Sequence, residues 1–73
     1  MTDSFLKIFG KHIRQLRKSK GYSQESFATK LKLHRTYIGS IERGEKNITI
    51  KNLKKLANCL ELKISDIFIG IDA

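Results

Sequence analysis

Apolar residues recur along the chain at helical intervals, and the breaks between them fall at Gly, Ser, Thr and Asn; Pro is absent. From about Ser4 to Lys20, Leu6, Phe9, Ile13 and Leu16 follow the spacing of one helix face. Ser4 is a candidate cap for this helix and Gly21 a candidate stop. A second helix is predicted over 24–31, behind Ser23 as N-cap, with Phe27, Ala28 and Leu31 inward. Only Lys32, Leu33 and His34 separate it from a third, over 35–43. So short a connection forces a sharp bend, which is the helix-turn-helix arrangement. A fourth helix, over 50–60 behind Thr49, lines up Leu53, Leu56, Ala57 and Leu60 and turns Lys51, Lys54 and Lys55 outward. A short fifth, over 65–69, has Ser65 as expected cap and Gly70 as stop. The "ITI" at 48–50 alternates like a strand but is too short to carry a sheet. The expectation is one all-α domain over residues 1–73, with five helices.

The stretch "HRTYIGSIERGEKN", residues 34–47, carries the chemistry. At 100° per residue Ile38 and Ile41 point inward, Arg35, Thr36, Gly39, Ser40 and Arg43 share the outward side, and Tyr37 lies at the border. A Gly inside a helix costs about 1 kcal/mol relative to Ala, so Gly39 needs a reason. Two are open. A small outward residue lets the backbone approach the floor of a DNA groove, or it lets another protein helix pack closely. The polar neighbours favour the groove. There Arg35 could take guanine O6 and N7 with both arms, and Thr36 and Ser40 could hydrogen-bond to bases or pack on a thymine methyl. Gln24, at the start of the second helix, is placed for a phosphate. Arg43, Lys46 and Asn47, at and after the end of the third, are candidate phosphate grips. The alternative for the loop residues is plain solvated loop chemistry.

Composition narrows the partners. A chain of 73 residues buries only about 60% of its unfolded surface, so its stability margin is thin. One cysteine, Cys59, excludes an internal disulfide, and His12, His34 and Cys59 match no zinc-ligand spacing. No metal or cofactor is expected. The net charge is +8, and residues 7–20 hold six basic side chains and no acid. Such a field attracts polyanions, nucleic acid first among them. The lone Cys suits a reducing cytosol, nothing resembles a signal peptide, and no apolar run approaches the roughly 20 residues of a membrane span. A soluble, cytoplasmic protein with no membrane partner is expected. No acid–base pair, nucleophile elbow or phosphate loop is present, so neither enzyme activity nor a small-molecule ligand is expected.

The run from Ser23 to Leu62, "SQESFATKLKLHRTYIGSIERGEKNITIKNLKKLANCLEL", resembles the XRE/Cro type of lambda-repressor-like helix-turn-helix. Gln24, Ala28, Ile38 and Ile41 fall on signature positions, and "IERG" follows the recognition helix as it does in that family. "RTYI" and the "IERG", "KN" and "TI" after it look most like the controller proteins of restriction–modification systems. The resemblance implies a dimeric regulator that binds double-stranded DNA at a pseudo-palindromic operator near its own promoter. It implies that Arg35, Thr36, Tyr37 and Ser40 meet bases or adjacent backbone, and that Gln24, Lys46 and Asn47 meet phosphates. It further implies an ion pair between Arg17 and Glu42. Three departures stand out. Gly39-Ser40 replaces the usual Ser-Gly, His34 replaces the usual Asp or Ser cap, and Lys32 replaces a turn glycine, where a positive φ would carry strain.

The C-terminal part is richer in apolar residues than one small core needs: Leu60, Leu62, Ile64, Ile67, Phe68, Ile69 and Ile71. A twofold homodimer through the last two helices would use the surplus, with Ile64, Ile67 and Ile69 as expected seam residues. The alternative is that all seven are core. Antitoxin-type and phage-type repressors of the same fold remain alternative functions, as does a basic module for an acidic protein.

Overall fold

In the computed structural model, residues 4–71 are described, and they form five helices without a strand: α1 (Ser4–Ser19), α2 (Gln24–Leu31), α3 (Arg35–Glu42), α4 (Ile50–Cys59) and α5 (Ile64–Ile67). The caps explain most boundaries. Ser23 Oγ accepts from Ser26 N at 3.0 Å, and Ser26 Oγ returns the bond to Ser23 N at 2.9 Å. This reciprocal box satisfies two donors at the start of α2. Thr49 Oγ1 accepts from Asn52 N at 3.1 Å and opens α4. At α3 the cap is His34, whose Nδ1 accepts from Thr36 N at 3.1 Å. An imidazole nitrogen thus takes the place of the usual carboxylate or hydroxyl.

Two expected caps are corrected. Ser4 is the first residue of α1 rather than its cap, and the residue before it lies outside the described ones. Ser65 lies inside α5, which starts one residue earlier than expected and ends at Ile67. The acceptor that organises its start is Asp66, whose Oδ2 takes Lys63 N–H at 3.0 Å.

The first four helices close with the same turn. Tyr22 N donates to Arg17 O (3.1 Å), Leu33 N to Ala28 O (2.9 Å), Glu45 N to Ser40 O (2.9 Å) and Leu62 N to Ala57 O (2.9 Å). This is the Schellman pattern, which needs a left-handed residue just before each donor. Gly21 and Gly44 supply two of them; Lys32 and Glu61, both at φ 59°, supply the others against the preference of their side chains.

The core runs through all five helices. Phe9 and Ile13 of α1, Phe27, Ala28 and Leu31 of α2, Ile38 and Ile41 of α3, Leu53, Leu56 and Ala57 of α4, Leu60, and Ile67 of α5 are buried. The Phe9 and Phe68 rings stack with centroids 5.7 Å apart, and Tyr22 and Phe27 meet at 5.4 Å. Helix α1 crosses α3 at Gly10. A Cβ there would lie 2.6 Å from Glu42 O and closer still to Ile41 O, so only glycine allows this approach. The surplus of C-terminal apolar residues divides. Ile67 is fully buried in the chain's own core, so it backs any seam rather than lining it. Ile64 is half-buried, and Ile69 is 69% exposed in the turn after α5.

Candidate nucleic-acid interface

Helix α3 is fixed from behind by a buried charge cluster. Glu42 takes Arg17 in a two-armed bond, from Nε at 2.7 Å and from Nη2 at 3.0 Å. Arg17 Nη1 also donates to Tyr22 O at 2.8 Å. Both side chains are almost fully inaccessible, at 6% and 3% exposure. Burying two charges is tolerable only when the geometry is good and the remaining polar atoms are satisfied. A third donor completes the set: Gln24 Nε2 bonds Glu42 Oε1 at 3.0 Å. One carboxylate therefore ties the end of α3 to α1 and to the first residue of α2, and it sets how the two helix-turn-helix elements sit together. The second N–H of the Gln24 amide remains for an outside acceptor such as a phosphate.

On the outer side, Arg35 and Thr36 stand exposed in the first turn of α3. Thr36 Oγ1 is 2.6 Å from His34 Nδ1, so the capping imidazole also steers this hydroxyl. Ser40 is less free than a wheel suggests. It is half-buried, and its Oγ donates to Tyr37 O at 2.7 Å, which leaves the oxygen lone pairs for an incoming donor. Tyr37 is half-buried at the edge of the core, with its Oη accepting from Asn52 Nδ2 at 3.0 Å and Lys46 Nζ lying 5.7 Å from its ring centre. Asn47 is exposed in the loop that follows.

Gly39 lies on the outward side as expected, but it is not bare: the Arg43 side chain folds back across it, and a Cβ would meet Arg43 Nη1 at 2.9 Å and Gln24 Oε1 at 3.8 Å. The glycine makes room for the exposed Arg43 side chain. Arg43 itself is paired with Glu45, Nε to Oε2 at 2.9 Å and Nη2 to Oε1 at 3.1 Å. That hydrogen-bonded pairing raises the Arg43 pKa and holds the Glu45 carboxyl below the ordinary carboxylate range. Among the residues expected to meet DNA, Arg35, Lys46 and Asn47 carry no intramolecular ion pair or side-chain hydrogen bond, Arg35 alone of them on α3, whereas Gln24, Thr36, Tyr37, Ser40 and Arg43 are each held by a neighbour. Two partners in this network, Asn52 and Glu45, escaped the sequence reading. Nothing in the pattern of either segment marks them.

No described helix is long and apolar enough to cross a membrane, and no described group of His, Cys, Asp and Glu could hold a metal ion.

Residues 13–67 match the helix-turn-helix family HTH_3. Over 68 residues the chain is 41% identical to the control protein C.BamHI of Bacillus amyloliquefaciens, covering 92% of this chain and 84% of that one. The crystal structure of the restriction–modification controller protein C.AhdI from Aeromonas hydrophila superposes with a TM-score of 0.83 at 41% identity, over 86% of this chain and 96% of the other. The biofilm master regulator SinR, solved in complex with DNA, superposes with a TM-score of 0.77 at 34% identity, over 82% and 97% of the two chains. The chain belongs to the HTH_3 helix-turn-helix family and, within it, to the control proteins.

Proposed function

We propose that this protein is a sequence-specific, double-stranded-DNA-binding transcriptional regulator, the controller of a restriction–modification operon acting at its own promoter. The observation that carries the reading is the unpaired Arg35 on the exposed first turn of a helix whose orientation is fixed by the buried Arg17–Glu42–Gln24 cluster. A two-armed donor on a rigid helix is what reading a guanine edge requires. Thr36 and Ser40 supply further base contacts beside it, Tyr37 meets a base or the adjoining backbone, and Gln24, Arg43, Lys46 and Asn47 meet phosphates. The charge of +8 supplies long-range attraction. The protein acts as a homodimer on a pseudo-palindromic operator. Ile64 and Ile69, with the partly exposed Phe68, form the seam, and the two α3 helices then lie about one DNA turn apart. Its action needs no cofactor, metal or catalytic step, and its place is the cytoplasm.

The test is a titration on the DNA upstream of the chain's own coding sequence, beside a scrambled duplex, at two salt concentrations. A preference of about a thousandfold or more at the higher salt is expected; equal binding to both overturns the reading. Arg35→Ala is expected to cost about 1–3 kcal/mol on the specific site alone, and Lys46→Ala to weaken all sequences alike.

A further inference from the structure

The structure assigns to Asn52, on the first turn of α4, the role of aiming the Tyr37 hydroxyl at a DNA phosphate; this rests on the DNA-binding reading above. A phenol oxygen has one hydrogen to give and lone pairs to accept with. In this chain Tyr37 Oη accepts from Asn52 Nδ2 at 3.0 Å. The bond consumes acceptor capacity only, so the hydroxyl hydrogen has no intramolecular acceptor and is left for an outside oxygen. The ring cannot swing away to find another partner. Its body packs against the core, and its face lies 5.7 Å from the Lys46 ammonium.

The surroundings select a phosphate as that oxygen. Lys46 brings positive charge to the ring face, and Thr49 caps α4 three residues before Asn52, so the first turn that carries the amide is itself fixed. Asn52 is half-buried and its backbone N–H is taken by Thr49 Oγ1. The residue is therefore held at its backbone by the helix cap and at its side-chain amide by the phenol. It acts on DNA through Tyr37, as a positioning residue.

The test is a double-mutant cycle of Asn52→Ala and Tyr37→Phe, with binding measured to the upstream DNA and to a random-sequence duplex. Asn52→Ala is expected to weaken binding to both duplexes by about two- to tenfold, the range of one hydrogen bond. In the Tyr37→Phe background it is expected to change nothing further. An equal loss in both backgrounds would mean that Asn52 touches DNA itself or only stabilises α4, and would overturn the assignment. The isosteric Asn52→Asp keeps the fold and the Thr49 cap but can only accept, which turns the phenol hydrogen inward. Its loss is expected to be larger with Tyr37 present than in the Tyr37→Phe background, and equality would again overturn the assignment. A neutral hydroxyl releases no counterion, so the salt slope of Asn52→Ala is expected to match that of the parent. A slope lower by about one would show that Lys46 had been displaced instead, and would also overturn it. Parent protein that binds both duplexes equally overturns the regulator reading while leaving the cycle readable; no binding to either overturns both.

Discussion

Gly10→Ala and Gly39→Ala are the same chemical change in two helices, and the structure predicts opposite signs. Inside a helix, replacing Gly by Ala gains about 0.5–1 kcal/mol, because Gly loses more backbone freedom on folding. At position 39 that gain should be realised. The nearest obstruction is the mobile tip of Arg43, 2.9 Å from the new carbon, and an exposed guanidinium can move aside. At position 10 the obstruction is backbone: Glu42 O at 2.6 Å and Glu42 C at 2.8 Å. These distances lie roughly 1 Å inside the about 3.5–4.0 Å of an optimal carbon contact. Overpacking of that kind costs about 1–3 kcal/mol, and against backbone, which cannot move aside, the upper part of that range applies, so Gly10→Ala should lose up to about 2.5 kcal/mol net of the helix gain. For a domain of this size about 1 kcal/mol moves the melting temperature by roughly 4–8 °C. Thermal melts followed by circular dichroism, with urea midpoints alongside, would measure both. Gly10→Ala melting at or above the parent would refute the close α1–α3 approach. Gly39→Ala melting as low as Gly10→Ala would refute the claim that only a side-chain tip occupies that space.

Three further outcomes follow from the same structure. Glu42→Ala leaves Arg17 buried with Tyr22 O as its remaining partner and should cost about 3–5 kcal/mol in urea unfolding; a loss below about 1 kcal/mol would show that the pair does not brace α3. Lys32→Gly and Glu61→Gly each relieve a left-handed residue whose strain is about 1–2 kcal/mol, offset by the about 0.5–1 kcal/mol that glycine loses in entropy; a net gain in urea midpoint is expected for each. The Glu45 carboxyl, lowered in the folded state by the Arg43 hydrogen bond, contributes stability that is complete above the ordinary carboxylate range and fades as pH falls through its lowered value. Glu45→Gln should therefore flatten the acid limb of the stability–pH curve and, by releasing Arg43, tighten binding to a random duplex. An acid limb identical to the parent's would argue against the pairing.

The parts of the fold that depend on local chemistry were legible in the sequence. Ser23 and Thr49 opened the helices expected of them, and the short Lys32–His34 connection gave the bend. Arg17 and Glu42, paired only through the family resemblance, lie 25 positions apart and do meet. Local patterns failed where a neighbour outside the window decides. A helical wheel gives the direction of Gly39 but not its cover, which Arg43, four residues on along the same face, supplies. Gly10 has no signature, since what it must avoid are carbonyls of α3 more than thirty positions away. Ile67 looked like seam because a helix of four residues has too few positions to show which side is core. Ser65 resembles a cap, yet α5 begins one residue before it, with the Asp66 carboxylate accepting from the N–H of Lys63. Asn52 lies fifteen positions from Tyr37 and reads as an ordinary polar residue until the fold brings the start of α4 within hydrogen-bond reach of the Tyr37 hydroxyl.

The buried Glu42 carboxylate separates holding from display. The forces that orient α3 reside on its inner side and at its C-terminal end, in contacts with α1, α2 and the turn at Tyr22. Of the residues offered outward in its first turn, Arg35 bears none of that load, while Thr36 is tied to the His34 cap. On the proposed DNA-reading role, a change at Arg35 would alter the message without altering the frame that presents it. A lineage carrying this domain could therefore drift from one DNA target to another by surface substitution alone, and a laboratory could re-address it the same way, provided Arg17, Gln24 and Glu42 are left in place.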